Sequence, residues 1–572
     1  MSQGEQDRLS RRSLLKAGAV AGSAVAVGGL IEARPAVAGP PQATGPGALA
    51  LVNGKIHTMN ATNGVASAVA VEDGRFVAVG TDGEIRARRP HATVIDLNGR
   101  TVVPGMIEAH VHFVSLAIRP GYHVVIENAW NIAQIQQMLA ARRPDVPAGE
   151  FITAMGGWHP NMFAEHRLPT RAELDAAVPD RPVLLFQGFT GPSATNSLGK
   201  AFLESQALPV VVADNGAIAG GAQSEAALYN LRIRQTFEDK KRSTLDAMAY
   251  AASVGITALL DEVGFPITGP PTPTQALSNF DHYRMYDSWL ALHHEHRTFI
   301  RLQTNFLHNQ NDIALPELTQ RLKNQFPLYG DDMMMTGAIG EWGAPGDGSG
   351  PVWLQAQRLV AQARWRNNNR ALSLAALQNE VAGYEAVNAE FDITGLRWRI
   401  DHVPVVTVDL LDRLRAMGGA VQCGAFSYVS GSGTAAGAPF RTILDHGIKA
   451  GIHLDGVHIA PLNPWFGIYY ATTGRNALGN QINVGQQISR HEAVRLYTRE
   501  NAWFLNMEDK LGSIEAGKLA DLVVLNKSYL TVTDDELRTI RPILTMVDGG
   551  VVHDTGELTG KKKTLVEGGI GR

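Results

Sequence analysis

Seven short apolar runs, each long enough for a buried strand, recur between Arg181 and Gly456: RPVLLFQG, GITALLDE, FIRLQTNFL, TGAIGEW, LRWRIDHV, GAVQCGAF and KAGIHLDG. Between them lie stretches such as STLDAMAYAASV and TVDLLDRLRAMG, whose apolar residues fall at helical spacing. Strand–helix alternation sustained over roughly four hundred residues implies parallel strands joined by helical crossovers, hence an α/β barrel with its chemistry at the C-terminal strand ends.

The flanks read differently. ALALVNGKIHTM and SAVAVEDGRFVAVG carry the turn dipeptides Asn53-Gly54 and Asp73-Gly74, both strong hairpin signals. LADLVVLNKSYLTV and ILTMVDGGVVHDTG, near the other end, are equally β-rich. The expected fold class is therefore α/β: a (β/α)8 TIM-like barrel over 104–508, with an insertion. Beside it stands a small β-sandwich built from 39–103 and 509–572.

Residues 1–38 read as an export address rather than as part of the fold. Arg11 and Arg12 precede a Gly/Ala-rich run too short and too weakly apolar for a stable membrane span, and AVA at 36–38 offers small residues for cleavage. Ser10, Arg11, Arg12, Leu15 and Lys16 resemble the twin-arginine signal, with Leu14 in place of the usual Phe. The resemblance implies a periplasmic or extracellular location reached through the twin-arginine export machinery. With 51 Lys+Arg against 55 Asp+Glu there is no basic surplus to hold nucleic acid, and Lys561 to Lys563 read as a solvated tail. The one cysteine, Cys423, excludes an intrachain disulfide and reads as a small core residue.

VVPGMIEAHVHF, 102–113, places His110 and His112 two apart after an apolar run. In a strand such residues share a face, so the pair can hold one metal ion. The His-rich LALHHEHRTF lacks the spacing that puts two ligands on one helix face, so His293, His294 and His296 read as solvated.

DLNGRTVVPGMIEAHVHF resembles the first barrel strand of the amidohydrolase superfamily, and KLGSIEAGKLADLVVL resembles its C-terminal hallmark. GGWHPNMFAEHRLPTRAELDAAVPDRPVLL and PLNPWFGIYYATTGR are similar to a narrower branch, amidohydrolase family 3 and its formamide-deformylase-like members. The resemblance implies a metal-dependent barrel that hydrolyses amides, formamides or carbamates. It further implies that His110 and His112 are ligands on strand 1, His402 the histidine of strand 6 and Asp455 the aspartate of strand 8. On that reading the ion acidifies a water, Asp455 shuttles its proton, and His402 helps to stabilise the oxyanion.

The chain also departs from the family pattern. Gly340 stands at the position of the strand 4 lysine, Ala375 at that of the strand 5 histidine, and Gly191 at that of a further histidine. A lysine-bridged pair of ions is therefore not expected. A single ion, zinc first and manganese, nickel or iron as alternatives, fits His110, His112, Asp455 and one more group. Glu341 is the candidate replacement ligand, its alternative being an ion pair with an arginine. His453 and His458 flank Asp455, and Trp158 and His159 are expected to line the substrate pocket. Two other readings stand beside hydrolysis: a metal-dependent lyase or isomerase, and a degenerate barrel that only binds a small molecule. Oligomeric state is open.

Overall fold

The structure, a computed structural model, describes residues 48–188, 191–262, 284–429, 437–457 and 459–560. The proposed signal segment, Lys561 to Lys563 and His458 lie outside the described residues.

Eight parallel strands form the barrel: β1 Met106–Val111, β2 Ile256–Glu262, β3 Arg301–Phe306, β4 Met334–Ile339, β5 Asn368–Arg370, β6 Arg399–His402, β7 Ala420–Gly424 and β8 Lys449–His453. They pair as two parallel sheets, β1-β2-β3-β4 and β5-β6-β7-β8. A parallel bridge between Ile339 and Asn367 joins the sheets at β4 and β5. At the other seam a side chain substitutes for backbone pairing. Asn501 Nδ2 donates to Ile107 O at 2.7 Å and to Ile452 O at 2.8 Å, holding β1 against β8. Every residue of β1, β2 and β3 is buried, on both faces, as in a barrel whose strands are covered inside and out.

Helices cover the outside. The one that enters β2, Phe237–Ser253, starts at a capping box in which Thr236 Oγ1 accepts from Asp239 N (3.2 Å) and Asp239 accepts from Thr236 N (2.9 Å). After β1 the chain makes an insertion with its own five-stranded sheet, in the order Ala217–Ile218, Ser193–Thr195, Val183–Phe186, Ile152–Met155, Tyr122–His123. RPVLLFQG thus belongs to the insertion and not to the barrel.

The expected sandwich has two sheets. One contains Leu49–Val52, Ala68–Glu72, Arg75–Gly80 and Thr93–Asp96; the other joins Lys55–His57 and Thr101–Pro104 to Leu522–Leu525, Pro542–Val547 and Gly550–Asp554. Leu51, Val69 and Phe76 from the first pack with Ile56, Val102, Leu522 and Met546 from the second. Asp73-Gly74 is a hairpin turn, as its dipeptide predicts. Asn53-Gly54 is not. Asn53 takes the left-handed conformation (φ 57°), but the chain passes there from one sheet into the other. The hallmark ADLVVL secures the two parts of the fold to each other. Within it Asp521 accepts two hydrogen bonds from the buried Arg301 of β3, at 2.8 and 2.9 Å, pinning the sandwich to the barrel.

Strand 5 does not lie where the family pattern puts it. Ala375 is on the helix Leu374–Phe391, which Ser373 caps, so it cannot occupy a strand 5 ligand position. Strand 5 is the three-residue Asn-Asn-Arg of β5, with no apolar residue to mark it.

Candidate metal centre

The C-terminal strand ends deliver two layers of polar side chains into the barrel. The lower layer is a buried network around Arg399. Its Nη2 donates to Glu262 Oε1 at 2.6 Å and its Nε to Asp401 Oδ1 at 3.1 Å. Asn305 and Asn368 donate to Glu262 at 2.8 and 2.9 Å, and Asn368 also to Asp401 at 2.8 Å. Burial pushes the Glu262 carboxyl well above its ordinary range, opposed chiefly by Arg399.

This layer orients the histidines above it. His110 Nδ1 donates to Asp401 Oδ2 at 2.6 Å, and His112 Nδ1 donates to the Glu262 carbonyl at 2.7 Å. Each ring is thereby oriented through its Nδ1, the arrangement by which carboxylates and carbonyls fix metal-binding imidazoles. Burial first, and then the His402 charge, hold His110 well below its usual pKa, so its ring is neutral.

The upper layer converges from four strands. His112 Nε2 lies 3.6 Å from Glu341 Oε2 and 3.7 Å from Asp455 Oδ1. His402 Nε2 lies 3.2 Å from Glu341 Oε1. One ligand atom each from His110, His112 and Glu341 falls within 4.8 Å of the others, and so does one each from His110, His402 and Asp455. Among the described residues, His110 Nε2 and Asp455 Oδ1 are buried without a hydrogen-bond partner. Orphaned acceptors of this kind cost free energy unless something binds them. Their convergence with neutral imidazole and carboxylate fits a divalent cation.

Glu341 is 5% exposed, and its environment has two opposed effects. Burial works to raise its pKa, but the hydrogen bond from His402 and the neighbouring imidazole charges outweigh it and bring the carboxyl down to about 2. Burial likewise works against a charged His402, and the Glu341 contact overcomes it, raising the imidazole above its usual value. Asp455 goes the other way, its carboxyl raised by burial. Glu341 faces the histidines, and Arg370 Nε also lies 3.2 Å from its Oε1.

The missing strand 4 lysine has a steric counterpart. A Cβ at Gly340 would stand 2.7 Å from Asn368 Cβ and 3.0 Å from Glu262 Oε2, so the lower network fills the space a lysine would need. His453 lies within this group, its ring centroid 4.6 Å from that of His110 and 4.9 Å from that of His402, and both its nitrogens lack partners among the described residues. Trp158 is buried against Phe163 in the insertion, and His159 is half-buried and caps the turn Pro160–Met162. The segment before them reaches the strand 8 loop, since a Cβ at Gly156 would collide with the carbonyl oxygen of Val457. Gly191 belongs to the insertion sheet's turn, where a Cβ would meet Gln187. Cys423 is buried in β7 with its thiol pKa pushed up by burial, and His294 and His296 are exposed.

Glu262, Asn305, Asn368, Arg399 and Asp401 are functional residues that the sequence motifs do not single out. The available signal is polar residues inside apolar strands, in ALLDE and RWRIDH.

An eight-stranded parallel barrel that gathers histidines and carboxylates at its C-terminal end is a (β/α)8 barrel with a candidate metal centre. The family model described as "Amidohydrolase family" matches residues 93–553, and the chain belongs to that family. It is accordingly a hydrolase of carbon–nitrogen bonds other than peptide bonds. A similar relative is the N-substituted formamide deformylase of Arthrobacter pascens, 24% identical over 541 residues, which span 88% of this chain and 97% of the relative. Among solved structures, a metal-dependent hydrolase of Pyrococcus furiosus aligns with TM-score 0.53 and 21% identity over 85% of this chain and 100% of that one. The zinc-complexed atrazine chlorohydrolase of Arthrobacter aurescens TC1 aligns with TM-score 0.50 and 15% identity over 89% and 96%. These two show likeness of fold. No helix among the described residues is long and apolar enough to cross a membrane.

Proposed function

We propose that the protein is an exported, single-metal hydrolase of a small amide-like substrate, an amide, formamide or carbamate, with zinc as its ion. The observation that carries this reading is the convergence of His110 Nε2 and Asp455 Oδ1, both buried and unpartnered among the described residues, with His112, Glu341 and His402. His110, His112, Asp455 and Glu341 would hold the ion. When bound, a divalent cation supplies Lewis acidity, acidifying water and polarising a carbonyl oxygen.

The chain's own groups do the rest. Asp455 takes the proton of the attacking water and delivers it to the departing nitrogen, base first and acid afterwards. His402 donates to the carbonyl oxygen as charge develops on it, while Glu341 keeps the imidazole protonated. Trp158 and His159 stand on the insertion segment that closes over the strand 8 loop and are assigned to the substrate wall.

The test is turnover of an amide, formamide and carbamate panel by protein whose metal content is measured in parallel. About one tightly held ion is expected, with Asp455→Asn lowering kcat by roughly 10²- to 10⁴-fold. An Asp455→Asn enzyme within fivefold of the wild type would remove the proton-shuttle role. Export rests on Ser10, Arg11, Arg12, Leu15 and Lys16. Changing Arg11 and Arg12 to Lys should retain the protein in the cytoplasm, and unchanged export would refute the twin-arginine route.

A further inference from the structure

The end of β5, where the family resemblance implies a histidine ligand, carries an arginine instead. Arg370 is the last residue of that strand, at the catalytic end of the barrel. Its Nε lies 3.2 Å from Glu341 Oε1, and Glu341 is its one ion-pair partner among the described residues. The closest approach is by Nε, so the outer edge of the guanidinium is not used by that contact. The side chain is 34% exposed, against 6% for Glu341, which sets it at the rim of the centre rather than inside it. Its guanidinium lies over the Trp342 ring, 4.5 Å from the centroid. That stacking fixes the plane of the fork before anything binds.

Charge balance gives the fork a purpose. With a divalent cation in place, the two carboxylates of Glu341 and Asp455 would face the ion and the protonated His402 as well as Arg370. Arg370 is then a surplus positive charge beside the reacting bond. Two buried arginines of the barrel are committed: Arg399 to Glu262 and Asp401, and Arg119 to the carbonyls of Met155 and Val457. A planar, pre-oriented and partly exposed guanidinium next to a metal centre is matched to a carboxylate, which it can engage with two parallel hydrogen bonds.

We infer that Arg370 is a specificity-determining residue that binds a carboxylate on the substrate, so that the preferred substrates are N-acylated or N-formylated amino acids rather than neutral amides. The inference rests on the amide-hydrolase reading for its choice of substrates, and its test separates the two.

The probes are N-formylphenylalanine and its uncharged counterpart N-formylphenethylamine. kcat/KM for hydrolysis and binding by calorimetry are measured on metal-loaded wild type, Arg370→Gln and Arg370→Lys, with bound metal quantified for each. The wild type should favour the carboxylate-bearing compound by about tenfold or more, a preference that falls within about threefold for Arg370→Gln and is only partly kept by Arg370→Lys, which retains charge without the fork. A wild type with no preference would overturn the inference. So would a preference that survives in Arg370→Gln, since the carboxylate would then be held by the metal or another group. If neither compound is hydrolysed but calorimetry shows the preference and its loss in Arg370→Gln, the inference stands and the amide-hydrolase reading fails.

Discussion

Asp401→Asn probes the idea that the lower layer creates the ligand above it. Asp401 Oδ2 accepts from His110 Nδ1 at 2.6 Å and from Asn368 Nδ2 at 2.8 Å, and Oδ1 accepts from Arg399 Nε at 3.1 Å. An asparagine in this position has one acceptor where three donors arrive. If its amide nitrogen turns to His110, the imidazole must offer a lone pair at Nδ1 and carry its proton at Nε2, which removes the ligand. If it turns to Arg399, two donors face each other in a buried site. Either arrangement weakens the centre without changing a proposed ligand. Loss of such an orienting partner lowers metal affinity by about 10- to 100-fold, or roughly 1.4–2.7 kcal/mol. Competition with a chromophoric zinc chelator reads this directly, with a thermal melt of the metal-free protein to show that the barrel is intact. A dissociation constant within twofold of the wild type, on an intact fold, would refute the tautomer argument.

Asp521→Ala should cost about 3 kcal/mol, because it leaves the buried Arg301 guanidinium with the Asp332 carbonyl and a longer 3.4 Å contact to the exposed Asp548. A loss below 1 kcal/mol in urea unfolding would show that the pair carries little. Asp246 supplies a pH dependence. Burial, opposed by Arg142, raises its pKa from 3.8 to about 6. A carboxyl whose pKa is higher in the folded than in the unfolded state contributes stability that is fully present below pH 3.8 and is lost as pH rises through about 6. The shift corresponds to roughly 3 kcal/mol at most. Asp246→Asn should flatten the stability profile between about pH 4 and 6 relative to wild type, and an unaltered slope would rule Asp246 out as its source.

What can be read from the sequence divides along physical lines. His110 and His112 close an apolar strand that follows a turn, so local pattern exposes them, Asp455 is picked out by the family resemblance, and the barrel follows from strand–helix alternation. β5 escapes because hydrophobic periodicity cannot register a strand of Asn-Asn-Arg. Asn368 satisfies Glu262 and Asp401 inside the barrel, and Asn369 bonds Gln357, Trp353 and Tyr384 of the outer helices, instead of packing. Placing the strand a few residues too late puts Ala375 in a ligand's place and hides Arg370. Glu341 stands out in the sequence by its charge alone. Its triple contact with His112, His402 and Arg370 depends on where three strand ends meet, which no local window encodes. The Asn53-Gly54 turn shows the same limit on a small scale: the dipeptide specifies the backbone bend but not the sheet into which the next strand goes.

Thr101–Pro104 lies between Lys55–His57 on one edge and Leu522–Leu525 on the other, and Gly105 N, at the entrance to β1, donates to Asp521 O at 2.9 Å. The strand that leads to His110 and His112 is thus seated by residues translated about four hundred codons later. During synthesis Thr101–Pro104 must wait with one edge open until 521–525 emerge. A product arrested earlier would display an apolar strand edge, the kind of surface that chaperones and proteases recognise. Full seating of the strand before the metal-binding histidines is in this way conditional on nearly complete translation.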